Sequence, residues 1–230
     1  MTRLILFDID GTLVLTGGAG GRAMARAFQE VFGFSNGLGS ISMAGRTDAW
    51  IVSQMLAGHG IVDAGAELER FLDVYLGYLA TEVLQPNVEK RVLPGVRSLL
   101  DLLAIRDDVH LALLTGNYRR GAEIKLEHFD LWRYFGAGAY GDDSHDRNGL
   151  LWMAMANVEA AGGPRVRPSE VVIIGDTPLD VAVAVAGGAR SLGVATGNYD
   201  VDTLIASGAD AALPDLSDGE AVLRALSLEG

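Results

Sequence analysis

Hydrophobic positions along the chain fall into two patterns. Leu4 to Phe7, Val109 to Leu114, Val171 to Ile174 and Arg190 to Val194 are short, largely apolar runs with no helical period, the form of strands covered on both faces in a parallel sheet. Ala137 to Tyr140 is a further short strand candidate. Between these runs apolar residues recur at helical spacing: Val96, Leu99, Leu100 and Leu103; Ile124, Leu126 and Phe129; Leu151, Ala154, Met155 and Val158; Leu179 to Ala186; and, last, Val222 to Leu226. Alternation of this kind predicts right-handed βαβ crossovers, hence an α/β fold: a Rossmann-like, mostly parallel sheet with helices on both faces.

One segment breaks the alternation. From residue 15 to 88 no strand is expected, whereas three sets of residues keep helical spacing: Met24, Ala27, Phe28, Val31 and Phe32; Ile51, Val52, Met55 and Leu56; Leu68, Phe71, Leu72, Tyr75, Leu76 and Leu79. The expected organisation is a core of residues 1–14 and 89–230, interrupted by an inserted all-helical domain over 15–88. Gly17, Gly18, Gly20 and Gly21 lead into the insert. They lack the Lys-Ser/Thr ending of a P-loop and read as a flexible connection.

Composition narrows the functions available. A chain of 230 residues, 49% hydrophobic, can bury a substantial core. Its net charge of −12 argues against a nucleic-acid partner, whose affinity would come from Lys and Arg. It leaves room for a small phosphorylated substrate, because a few local charges dominate inside a pocket. The absence of cysteine removes disulfides, thiolate metal sites and a Cys nucleophile. Acids arrive at Asp8, too early for a secretory signal, and no apolar stretch approaches the roughly 18 residues of a membrane span. A cytoplasmic protein with no membrane partner is expected; the oligomeric state is left open.

Three strand ends carry polar residues suited to one task. Leu4 to Phe7 runs into Asp8-Ile9-Asp10-Gly11-Thr12, Val109 to Leu114 into Thr115-Gly116-Asn117, and Val171 to Ile174 into Gly175-Asp176-Thr177-Pro178-Leu179-Asp180. Carboxylates at the end of a buried strand are costly unless a metal, a cation or hydrogen bonds compensate them. A hydroxyl, an amide and backbone N–H groups at a helix start suit an anion. Parallel strands deliver all three ends to one edge of the sheet, where ligands of open α/β sheets bind.

In the order and spacing of these motifs the chain resembles the haloacid dehalogenase-like superfamily, in its phosphoglycolate phosphatase-like branch. The resemblance covers nearly the whole chain. It implies that Asp8 is a nucleophile forming an aspartyl-phosphate and that Asp10 is the acid and base. It further implies that Thr115, Gly116 and Asn117 bind phosphate, and that Mg²⁺ is held by Asp8, Asp176 and the main-chain carbonyl of Asp10. Residues 15–88 become a cap. The family also places a cation, usually Lys, beside the nucleophile, but the usual Gly-Lys-Pro is absent here. Arg147 stands in that interval, with Asp180 orienting it. Lys125 competes, although Lys125-Leu126-Glu127-His128 reads as a solvated helix face. In the cap, Thr47 or Asp48 is expected to cap a helix, and Arg46 to reach the substrate.

The function implied is a Mg²⁺-dependent phosphatase acting on a small phosphomonoester. A phosphomutase of the β-phosphoglucomutase kind and a non-catalytic phosphate-binding module are the alternatives. His145 lies near enough in sequence to Arg147 to touch substrate. Gly136 to Gly141 matches G-x-G-x-x-G without the strand-to-helix context of a dinucleotide site. Trp50 and Trp152 read as packing residues on helices, and Arg147, outside the catalytic reading, as a loop charge paired with Asp143 or Asp146.

Overall fold

The computed structural model describes residues 2–144 and 146–228, so His145 falls outside them. The first strand, β1 (Arg3–Phe7), is followed by a two-residue strand, β2 (Val14–Leu15), and then by the helices α1 (Ala19–Phe32), α2 (Asp48–Gly58) and α3 (Ala66–Glu82). The chain returns through β3 (Arg91–Val92), which pairs antiparallel with β2. Then come α4 (Val96–Ala104), β4 (Val109–Leu114), α5 (Arg119–His128), β5 (Gly138–Ala139) and α6 (Leu150–Ala160). The last third holds β6 (Val171–Gly175), α7 (Pro178–Gly187), β7 (Arg190–Val194), α8 (Val201–Ala206), β8 (Ala211–Leu213) and α9 (Gly219–Leu226).

Six strands form one parallel sheet in the order β5-β4-β1-β6-β7-β8. Because β1 is central, its side chains alternate between two apolar layers. Ile5 and Phe7 pack with Leu113, Val172 and Ile174 beneath Val96 and Leu99 of α4 and Val222 and Leu226 of α9. Leu4 and Leu6 pack with Ala112 and Ile173 against Leu151, Ala154 and Val158 of α6 and Val183 and Ala184 of α7. Each of the four β1 side chains is fully buried, worth about 1.5–3 kcal/mol apiece relative to exposure. That is why this run carries no polar residue until Asp8.

The helices α1–α3 bury a separate cluster, centred on Phe28, Met55, Phe71, Tyr75 and Leu79. Phe71 and Tyr75 stack with centroids 6.2 Å apart, and Arg22 and Arg26 of α1 both bind Glu82 of α3, at 2.8 and 2.7 Å. The glycines expected to form a flexible connection are partly helical: α1 begins at Ala19 and takes in Gly20 and Gly21. The ribbon of β2 and β3 and the pair α8 and β8 have no counterpart in the sequence reading. Trp152 is also a correction, since it is 53% exposed rather than packed. No helix among the described residues is long and apolar enough to cross a membrane.

Candidate active site

The sheet register decides which residues meet. Phe7 lies level with Leu113 on one side and Ile174 on the other, so Asp8, Thr115 and Asp176 emerge together at the carboxyl edge. The Asp8 N–H donates to the Ile174 carbonyl at 3.0 Å, extending the ladder by one rung. Gly11 then turns the chain in the left-handed region, φ 83°, which a side chain would disfavour. A Cβ there would also collide with the Asp176 carboxylate. The Thr12 hydroxyl donates to Asp176 at 3.3 Å, tying the first strand end to the third.

Asp176 is followed by Thr177, which caps α7 in a reciprocal box with Asp180. One Asp180 oxygen accepts from the Thr177 N–H (3.1 Å) and hydroxyl (2.7 Å), and the other from Arg147. Arg147 opens a single 3₁₀ turn capped by Asp146 and is 8% exposed. Its Nη2 also lies 3.2 Å from Asp8. It pairs with neither Asp143 nor Asp146 but spans the buried Asp8 and Asp180. Its Nε is buried with no hydrogen-bond partner, an unspent donor at this end of the sheet.

Asp8, Asp176 and Asp180 each offer an oxygen within 4.8 Å of the others, all buried. Burial pushes the Asp8 carboxyl up to about 6, with Arg147 pulling it down against Asp180 and Asp10. Asp176 is pushed up to about 8, first by burial and then by Asp180 and Asp8. Burial works against the charge on Arg147, yet Asp180 and Asp8 hold its pKa above the ordinary value. Three acids facing one guanidinium leave a surplus of negative charge. An oxygen-only donor set of that kind fits a hard divalent cation. Asp180 is already committed to Arg147 and Thr177, so Asp8 and Asp176 are the carboxylates with capacity for a metal. The Asp10 carboxyl lies outside this cluster, leaving its main-chain carbonyl as the group expected there.

Lys125 is the largest departure from expectation. It is 5% exposed, on the buried face of α5 with Ala122 and Leu126, not on a solvated face. Its Nζ donates to Asp10 Oδ2 and to Asn117 Oδ1, each at 2.6 Å. The helical spacing of Ala122, Lys125 and Leu126 carried that signal; the charged neighbours Glu123 and Glu127 obscured it. Asn117 donates to Asp10 at 2.9 Å and to Thr115 Oγ1 at 2.8 Å, so both of its N–H bonds are committed within the loop. Thr115 accepts from the Asn117 main chain and side chain and keeps its own O–H to donate.

The helical insert closes over this edge. Thr47 caps α2, its hydroxyl accepting from Trp50 N at 3.1 Å. Asp48 links insert to core: its N–H donates to the Gly116 carbonyl at 2.7 Å, and its carboxylate accepts from Tyr118 N at 2.9 Å and from the Tyr75 hydroxyl at 3.4 Å. Burial pushes that carboxyl up to about 6, with Lys125 opposing. Gly116 is a required glycine, since a Cβ would run into the Arg46 carbonyl. Between insert and core lies a cavity of about 300 Å³, lined by Asp8, Asp10, Thr115 and Arg147 from the core and by Met24, Met43, Arg46 and Ile51 from the insert. Arg46 rests its guanidinium 4.4 Å from the Trp50 ring centroid.

The chain was compared with known proteins. It is 28% identical over 215 residues to "Probable phosphatase IndB" of Dickeya dadantii, covering 90% of this chain and 87% of that protein. It is also 28% identical over 207 residues to the phosphoglycolate phosphatase of Pseudomonas fluorescens, covering 86% and 71%. Among solved structures, a "predicted phosphatase" from Clostridium acetobutylicum superposes with a TM-score of 0.70 at 20% identity, over 97% of this chain and 99% of that one, which shows the shared fold. The family model for haloacid dehalogenase-like hydrolases matches residues 2–188, and with most of its length so accounted for, the chain belongs to that family.

Proposed function

We propose that the protein is a Mg²⁺-dependent phosphatase for a small phosphomonoester, with the helical insert as its cap. The observation that carries this reading is the meeting of Asp8 with Arg147, Asp176 and Asp180 at the sheet edge, with Asp10 facing the same cavity. An Asp8 oxygen attacks phosphorus as the ester P–O bond breaks, and a proton on Asp10 passes to the departing oxygen. Water then adds to the aspartyl-phosphate, giving its proton to Asp10 and releasing phosphate and free Asp8. Arg147 holds Asp8 in place and supplies positive charge near the transferring group. The Thr115 hydroxyl and the main chain at Gly116 serve the phosphoryl oxygens, while Asn117 holds Thr115 and Asp10 in position.

Asp8, Asp176 and the Asp10 carbonyl would hold Mg²⁺, which when bound offsets negative charge on the transferring phosphoryl group. Binding would also release the protons that burial retains on the two acids. Without metal, folded Asp8 and Asp176 keep protons up to pH about 6 and about 8, above the unfolded value of 3.8. Their stabilising contribution is therefore full below about pH 4 and is lost as pH rises to about 8. Mg²⁺ at about 100 times its Kd should add about 2.7 kcal/mol. The resulting rise in Tm at a fixed Mg²⁺ concentration should be larger at pH 8 than at pH 6, and a rise independent of pH would count against these ligands.

A phosphoglycolate-like substrate is supported by the curated relative of that name and by a cation, Arg46, in the cavity wall, which would pair with a carboxylate on the leaving group. Arg46→Ala should raise KM for such an ester about tenfold or more, with kcat and Tm little changed. An unchanged KM would remove Arg46 from the substrate site.

The deciding experiment is phosphate release from a panel of phosphoglycolate, sugar phosphates and nucleotides, with and without Mg²⁺. Mg²⁺-dependent release is the expected result, and the preferred ester names the substrate class. Isomerised sugar phosphates without net release would replace the reading with a mutase. Phosphate binding with no turnover on any ester would replace it with a non-catalytic module.

A further inference from the structure

We infer that the site divides its two buried cations between its two reactive carboxylates, Lys125 acting as the positioning residue for Asp10 while Arg147 serves Asp8. The inference rests on the phosphatase reading, in which Asp10 exchanges the proton. Arg147 is committed to Asp8 and Asp180. Lys125 reaches the site from the opposite flank, on α5, and pairs with Asp10.

The geometry around Asp10 is asymmetric. Oδ2 accepts both from Lys125 Nζ, at 2.6 Å, and from Asn117 Nδ2, at 2.9 Å. Lys125 closes the ring by donating to Asn117 Oδ1 at 2.6 Å. Neither bond uses Oδ1, on a side chain 42% exposed that lines the cavity. One oxygen is gripped and the other is presented. Free rotation about the side-chain bonds of an Asp at a cavity wall would scatter its proton among several directions, and three mutually bonded groups remove that freedom.

Placing an ammonium on the buried face of α5 is costly compared with a Leu or Met. A purely structural stripe there would be apolar, like its neighbours Ala122 and Leu126. Among the described residues the hydrogen bonds of Lys125 go to Asp10 and Asn117, which locates its task there.

The consequence concerns which bond can break. As Asp8 bonds to phosphorus, the electron pair of the ester bond moves to the leaving oxygen, which takes the Asp10 proton. An alkoxide needs that proton, whereas a nitrophenolate departs stably without it. Loss of Lys125 should therefore slow alkyl esters and spare aryl esters, because Asp8 and Arg147 remain in place.

The test compares kcat/KM of wild type and Lys125→Met, with saturating Mg²⁺, on β-glycerol phosphate and on p-nitrophenyl phosphate. This ratio reports steps through the first phosphoryl transfer. The expected loss is about 10²-fold or more on the alkyl ester and under about tenfold on the aryl ester. In an Asp10→Asn background Lys125→Met should add no further loss on the alkyl ester. Should Lys125→Met fail to fold, Lys125→Leu, which fills the buried face of α5 without a donor, enters the same comparison with the same expected split. Equal loss on both esters, no loss, or additive loss in the double variant would overturn the assignment while leaving the phosphatase reading intact. A wild type inert toward both esters would instead overturn the phosphatase reading and the assignment with it.

Discussion

Replacing Asp8 with Asn should lower phosphate release by at least about 10⁴-fold, the scale of loss when a covalent nucleophile is removed, without unfolding the protein. The amide keeps the shape of the carboxyl, so packing at the end of β1 is preserved, but a neutral amide cannot form the ester to phosphorus. Stability gives an independent readout. The Asp8 carboxyl is raised to about 6 from 3.8 by burial, so in the metal-free wild type its stabilising contribution is lost as pH rises between those values. Asn carries no such penalty. The variant should match the wild type near pH 4 and equal or exceed it in Tm at pH 7, even though Arg147 keeps only Asp180. Residual release within about tenfold of wild type would show that another group attacks phosphorus.

Arg147→Met should be strongly destabilising. Its guanidinium is 8% exposed and lies between Asp8 and Asp180, both almost wholly buried. Removing one partner of a buried ion pair strands the other charge, typically at a cost of about 3–5 kcal/mol. The cost has a pH signature. Stranded carboxylates take up protons, so the loss, read by urea unfolding without metal, should be smaller at pH 5 than at pH 8. Arg147→Lys should recover only part of it, because an ammonium cannot offer the planar fork that spans two acids. A loss under about 1 kcal/mol, equal at both pH values, would show that the acids are neutralised by other means.

Much of this site is legible in the amino-acid sequence. The strands β4 and β7 fall where the apolar runs predict them, and the acids Asp8 and Asp176 follow from strand ends in a parallel sheet. Arg147 is expected from its position in the chain, and in the structure it lies buried between Asp8 and Asp180. What escaped was set by tertiary contacts. Lys125 sits among charged neighbours, and only the packing of α5 reveals that its face is buried. Asp48 reads locally as a first-turn acid of α2, because nothing near it in sequence announces that its carboxylate accepts from Tyr118 in the core. The strands β2, β3 and β8, of two or three residues each, carry too few positions for a period of two to register.

The central place of β1 in the sheet bears on how the chain assembles. Its partners β4 and β6 begin at Val109 and Val171, so the strand cannot complete its pairing until most of the protein has been made. At a synthesis rate of about 5–20 residues per second, Leu4 to Phe7 wait on the order of 10–30 s for β6 to follow. The cluster of α1–α3, built largely from contacts within residues 19–83, has its partners in hand long before that and can form first. During the interval Leu4 to Phe7 keep an unpaired edge, the state in which strands seek the wrong neighbour. The nascent chain is therefore most exposed to aggregation before β6 emerges, and a chaperone that shields β1 should raise the yield of folded protein more than one acting after release.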